Sequence, residues 1–320
     1  MTNKLIALFG LLVVVLTSCT HSLNKRESLV KEDSMTVSIK DTTVRSVPKI
    51  SKKIEADSFG PTPVEESQLS ESVTRGGGSG PSALVLSAGI YRTISSISLF
   101  KELKVINSVP PVLIGHGLSA VIASYFAFGF EADFIEWKFF QFIEKAKGTM
   151  PFSDEWNELF EQVLIKEIES KQIEEAVLTL IIPVWNKTKR KVEFLKRGNL
   201  KSALIANTNY YGKSDSPLEP AMSYNFIDSK LLRGLGVKKI YAVDLLSSGI
   251  SWKKGNGLLN GSFQKAASII QDEKDSYQVI LNYPISEFDL DDSAKLADLI
   301  FLSKKVSKSF LNEFTKEEKL

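Results

Sequence analysis

The chain is poor in the residues that most often carry chemistry. It has one cysteine and two histidines among 320 residues. A lone cysteine, Cys19, closes no disulfide within the chain. His21 and His116 are too few for the usual His- and Cys-rich zinc sites, and they leave little for Ser-His-Asp catalysis. We therefore expect no metal and no cofactor. Charge of one sign is also lacking: 40 basic residues stand against 38 acidic ones, a net charge of +2. That balance gives no reason to invoke nucleic acid as a partner. Long hydrophobic runs are absent but for "LIALFGLLVVVL", Leu5 to Leu16. It is short of the roughly 20 residues a membrane span needs, and it suits a signal-peptide core of roughly 7–15 residues. No internal repeat is visible, so nothing points to a solenoid.

The N-terminal segment that is present carries its own message. Lys4 supplies the positive charge ahead of the apolar run, and "LTSC" (Leu16 to Cys19) follows it. This small-residue pair before a cysteine resembles the bacterial lipobox. The resemblance implies removal of residues 1–18 and acylation of Cys19, each buried methylene adding about 0.8 kcal/mol of membrane affinity. An unmodified thiol behind an ordinary secretory signal is the plainer alternative. Thr20, not aspartate, follows the cysteine, which in a host with two membranes implies the outer membrane and its periplasmic face. Residues 19–82 are rich in Ser, Thr, Lys, Glu and Pro, with few aromatics, and end in "TRGGGSGPS". Such a composition buries too little apolar surface to order itself and reads as a flexible tether or an interaction tail.

Residues 83–320 read as one α/β domain, with strand-like apolar runs alternating with helical patterns. Strands are expected at Ala83–Gly89, Pro110–Gly115, Lys238–Leu246 and Ser276–Pro284, and a hairpin at Ala176–Lys196. Helices are expected at Thr93–Leu103, Leu118–Phe128, Ala132–Ala146, Asp154–Glu169, Gly198–Asn207 and from Asp292 to about Phe314. The Leu118–Phe128 helix is apolar all round, hence buried. The alternation predicts a mostly parallel central sheet with helices on both faces.

Three stretches carry chemistry. "LVLSAGIYRT" (Leu84 to Thr93) is a strand running into a glycine turn. "VLIGHGLSAVIAS" (Val112 to Ser124) has the outline of a nucleophile elbow, in which a serine sits on a sharp strand-to-helix turn. "PLEPAMSYNFIDSK" (Pro217 to Lys230) is a proline-containing loop ending at Asp228. In this order and spacing they resemble the patatin-like phospholipase family, whose serine nucleophile works with an aspartate base and a glycine-rich oxyanion loop, without histidine. The resemblance implies a three-layer sandwich.

It also assigns positions. Ala88, Gly89 and Ile90 take the three glycine places of the oxyanion loop, and Arg92 keeps its arginine. Gly115 takes the first glycine of the elbow, His116 the next place and Gly117 the nucleophile's. Asp228 takes the base. The departures fall on the chemistry. The nucleophile is replaced by glycine, β-branched Ile90 restricts a loop that glycine would free, and Lys230 places beside the base a cation that would weaken it as a proton acceptor. A register shifted by two makes Ser119 the nucleophile but spoils the helix length. His116 is expected to be an exposed turn histidine; the alternative is a nucleophile or a base to Ser119.

The expectation is a lipoprotein that has lost acyl-hydrolase activity. It binds a lipid, an acyl chain or an envelope protein at the periplasmic face of the outer membrane. The alternative is a divergent serine phospholipase or esterase acting through Ser119.

Overall fold

The computed structural model describes residues 81–211, 216–253 and 257–318. The apolar run, Cys19, His21 and the rest of the N-terminal segment lie outside them. The described chain is α/β, with a mostly parallel mixed sheet of seven strands ordered β4-β3-β2-β1-β6-β7, and β5 paired on β3. The strands are β1 (Ser82–Leu86), β2 (Val112–Gly115), β3 (Thr179–Asn186), β4 (Lys191–Leu195), β5 (Leu218–Pro220), β6 (Lys239–Asp244) and β7 (Val279–Asn282).

β1 lies at the centre because it is apolar and buried on both faces, as parallel strands between two neighbours must be. Leu84 pairs with Leu113 on one side and Tyr241 on the other. β3 is shared. Its first residues, Thr179 to Ile181, run parallel to β2, and Ile182 to Asn186 pair antiparallel with β4. Pro183 falls after the pairing with β2 has stopped and before that with β5 starts at Val184. A proline without an N–H is therefore tolerated inside this long strand.

The helices are α1 (Ser95–Val105), α2 (Leu118–Ala127), α3 (Ala132–Lys145), α4 (Asp154–Leu159), α5 (Leu200–Thr208), α6 (Ser229–Gly234), α7 (Gly257–Asp272) and α8 (Leu296–Glu318). Every residue of α2 is buried, as its unbroken apolarity predicts. It lies on β2 and β3 and meets α1, α3 and α5.

Most boundaries shift by one to three residues from the sequence reading, and two helices shift further. The helix expected at Asp154–Glu169 stops at Leu159 and widens into a single π turn, Phe160–Leu164. Val163, Leu164 and Ile165 are all buried, and three consecutive inward residues do not fit one stripe of a regular helix. The last helix begins at Leu296, not Asp292. Asp292 instead accepts the Ala294 N–H at 2.9 Å and the Lys253 ammonium at 3.0 Å.

Candidate functional site

β2 enters the turn at Gly115. A Cβ there would lie 2.4 Å from the Ala120 Cα and 2.8 Å from the Ser119 carbonyl oxygen, so only glycine lets the first turn of α2 close onto the strand. Gly117 caps that helix with φ 56° and ψ −136°. A side chain would cost on the order of 1–3 kcal/mol of strain in such a conformation, whereas glycine adopts it freely.

Asn207, from the buried side of α5, holds the turn from both ends. Its Oδ1 accepts the Gly117 N–H at 2.9 Å and its Nδ2 donates to the Gly115 carbonyl at 3.0 Å. The His116 N–H donates to the Leu86 carbonyl at the end of β1. The turn is thus a sharp strand-to-helix apex, tied to α5 and to the central strand, with no side chain at its tip.

The space at that tip is filled from another element. A Cβ on Gly117 would sit 2.9 Å from the Tyr210 hydroxyl oxygen and 3.2 Å from the Ala88 Cβ. The Tyr210 hydroxyl donates to the Met222 sulfur at 3.2 Å, and its ring packs on Phe152 and Phe263. Burial pushes the phenol pKa well up, so the plug is neutral. Outside it lies a pocket of about 240 Å³ lined by Tyr210, Tyr211, Glu219, Ser223, Tyr224 and neighbours. Tyr210 therefore stands between that pocket and the apex. No motif marks Tyr210 in the sequence, because the contact is made across the fold.

The neighbouring polar groups are already committed. The Ser119 hydroxyl is fully buried and donates to the Ser87 carbonyl at 2.6 Å. With its proton placed there, the Thr93 hydroxyl at 3.2 Å must be the donor to Ser119. Ser119 sits inside the first turn of α2 and braces β1, away from the tip of the turn.

His116 is not exposed, contrary to expectation. It is fully buried, stacked on Phe226 at 4.7 Å, with Nε2 2.8 Å from the Phe226 carbonyl. A carbonyl only accepts, so Nε2 carries the proton, and Nδ1 is left buried without a partner among the described residues. Burial lowers its pKa to about 4. The correction has a simple origin: a turn whose flanks are both buried carries its side chains inside as well.

The loop after β1 is held by close packing and by hydrogen bonds. Ile90 adopts φ 47°, a left-handed conformation that a β-branched side chain makes costly. Gly89 is at an extended φ of −163°; a Cβ there would meet the Leu245 Cδ1 at 2.8 Å. Beside Gly89, Ala88 is buried and lies against the Gly117 tip.

Arg92 turns away from the apex. Its Nε donates to the Phe288 carbonyl at 2.7 Å, and one terminal nitrogen donates to the carbonyls of Leu245 (3.1 Å) and Gly249 (2.6 Å). Burial pulls its pKa down to about 10, with Asp289 acting in the opposite direction. This buried cation pins the loops after β6 and β7 to the loop after β1.

Asp228 caps α6. Its Oδ1 accepts the N–H groups of Lys230 (3.0 Å) and Leu231 (2.9 Å), so Lys230 meets it through the backbone. The loop is close to the elbow, because Phe226, two residues earlier, is the partner of His116. The carboxylate itself is directed into the helix N-terminus.

An opening of about 700 Å³ lies at the C-terminal ends of β6 and β7. It is lined among others by Leu246, Ser247, Ile250, Gln264, Gln271 and Asn282. Of these, Ser247 donates its hydroxyl to the buried Asp244, and Gln271 donates to both. Among the described residues no group of three His, Cys, Asp or Glu side chains is placed to hold a metal. No protein-family model matches the chain, and no curated protein matches it.

Proposed function

We propose that the domain is a patatin-like scaffold, a three-layer sandwich in that family's terms, that no longer hydrolyses esters and works by binding. One observation carries this reading: the apex of the strand-to-helix turn is Gly117, and the Tyr210 hydroxyl covers it. A serine hydrolase needs a nucleophile, a base and oxyanion donors converging on one point. Here the nucleophile's place is glycine, the Asp228 carboxylate caps α6, and the space for a reacting carbonyl is taken by a phenol. Loss of the nucleophile alone costs on the order of 10⁶ in kcat in subtilisin.

The proposal places the domain on an acylated Cys19, at the periplasmic face of an outer membrane. Its ligand is a lipid, an acyl chain or an envelope protein. The β6–β7 groove falls within the roughly 300–1,000 Å³ of small-ligand sites, and its Leu246 and Ile250 lie beside Ser247 and Gln271, a lining suited to an amphipathic molecule. The alternative, hydrolysis through Ser119, would require that hydroxyl to leave the Ser87 carbonyl and reach the surface.

A fluorophosphonate probe applied to the full chain, beside an active serine hydrolase as positive control, tests the reading. No labelling is expected. Labelling abolished by Ser119→Ala would overturn it. Mass spectrometry of lipid that copurifies with the protein separates a lipid ligand from a purely protein one.

A further inference from the structure

The five parallel strands begin along one edge of the sheet, at Ser82, Val112, Thr179, Lys239 and Val279. The chain enters β1 there through Pro81, whose carbonyl accepts the Lys238 N–H at 2.9 Å. Helices that start at the opposite edge return to this one. α1 ends at Val105, which is 81% exposed. α2 ends at Ala127, whose carbonyl accepts the N–H groups of Val177 and Leu178 just ahead of β3, and Val177 is also 81% exposed. Beyond α2 the aromatic rings continue outward. Phe130 stacks on Phe134 at 5.5 Å, and Phe134 meets Trp137 at 5.9 Å. Trp137 is 52% exposed.

Single exposed apolar residues need no explanation. These are grouped on the edge through which the chain arrives from Cys19. The acidic groups among them are ion-paired: Glu131 with Lys104 at 2.8 Å, and Asp133 and Glu136 both with Lys101, at 2.7 and 2.5 Å. Lys171 lies over the ring of Phe128 at 5.9 Å. Aromatic rings with lysines beside them are the composition that settles at a bilayer's headgroup level.

We propose that this edge, from Val105 across Phe130, Phe134 and Trp137 to Val177, is a membrane-contact face. It would seat the domain on the bilayer that holds Cys19 and direct the β6–β7 groove, at the opposite edge, away from the lipid. The proposal rests on the lipid-anchor reading above. Anchoring makes a weak contact sufficient, because it fixes a high effective concentration of the face at the surface.

The experiment uses the full lipidated chain in vesicles of phosphatidylethanolamine and phosphatidylglycerol whose acyl chains carry bromine, a contact quencher of tryptophan. Of the four tryptophans, Trp156 is fully buried. Quenching is expected, with loss of the quenched component in Trp137→Phe and a weakened signal in the Val105→Glu/Val177→Glu double variant. The two valines are exposed enough for that variant to fold. Emission unchanged by bromine, or quenching that survives Trp137→Phe, would overturn the proposal, and the first result would leave a protein partner as the occupant of the face. The mass of the Cys19 peptide is measured in parallel. An unmodified Cys19 means that the anchor reading has failed, whereas acylated Cys19 without quenching means that only the face has failed.

Discussion

Replacing Gly117 by alanine isolates the feature on which the functional reading turns. The backbone at φ 56° and ψ −136° costs a side chain on the order of 1–3 kcal/mol. The added Cβ also lies 2.9 Å from the Tyr210 hydroxyl and 3.2 Å from the Ala88 Cβ, and overpacking of this kind costs typically about 1–3 kcal/mol. Together the two effects predict a loss of about 2–6 kcal/mol, with Tm falling roughly 2–4 °C per kcal/mol for a domain of this size. Gly129→Ala is the control. Gly129 has φ 81° but nothing within 4 Å of the new Cβ, so only the left-handed strain of about 1–2 kcal/mol applies. Tyr210→Phe removes the close oxygen. In the double variant part of the Gly117→Ala loss should return, a coupling of about 0.5–3 kcal/mol. Urea unfolding followed by circular dichroism measures the parent and the four variants. If Gly117→Ala were no less stable than the parent, the apex would not have this geometry. If the two substitutions were simply additive, Tyr210 would not cover it.

Three further tests follow from the committed polar groups. His116 has a folded pKa of about 4 against an ordinary 6.5, so between those values the unfolded chain binds the extra proton and stability falls with acid, by on the order of 3 kcal/mol at the limit. His116→Asn should flatten the difference in urea midpoint between pH 7 and pH 5; an equal difference would mean that the ring is not buried neutral. Asp228→Ala should cost about 0.5–2 kcal/mol through the lost cap, while Asp228→Asn, an equally good cap, should be nearly neutral; a large loss in the asparagine variant would point to a role for the charge itself. Arg92→Met leaves three carbonyls without their donor, so a loss of at least about 3 kcal/mol is expected, and a stable variant would show the guanidinium to be dispensable.

The strand ending at Gly115 and the helix starting at Leu118 were legible because both are apolar enough to be wholly buried, and a glycine-rich turn between such elements has few places to go. α7 was not legible. Its buried positions Leu259, Phe263, Ala266 and Ile270 follow helical spacing, but Gly257 and Gly261 interrupt the pattern and read as loop. The conformation of Ile90 was hidden for the converse reason. Its residue type argues against positive φ, and only the packing around it, 2% exposed, imposes that conformation. The assignments of Arg92, Ser119 and His116 needed the fold, because each is settled by a carbonyl distant in sequence: Phe288, Ser87 and Phe226. Asp228 lay between, since a cap and a base look alike until the next two N–H groups are placed.

The sheet order also bears on where a ligand can sit. After β1 the chain moves outward to β2 and β3, and after β6 it moves the other way to β7, so the direction reverses between β1 and β6. In open α/β sheets ligands occupy the crevice at such a reversal, beyond the carboxyl ends of the strands. Here that crevice is closed from within. Leu245 lies against Gly89, and the Arg92 guanidinium spans the loops on either side. One strand away on the β2 side, Tyr210 closes the Gly117 apex. An opening lies at the carboxyl ends of β6 and β7, where Asp244, Ser247 and Gln271 are linked by hydrogen bonds. On the proposed reading a ligand at this edge would sit one strand beyond the reversal, away from every position the resemblance assigns to catalysis. If the proposed reading holds, the turn has outlasted the chemistry it once served. Gly115 and Asn207 preserve the turn because the sheet needs it, and that need is independent of chemistry at the tip.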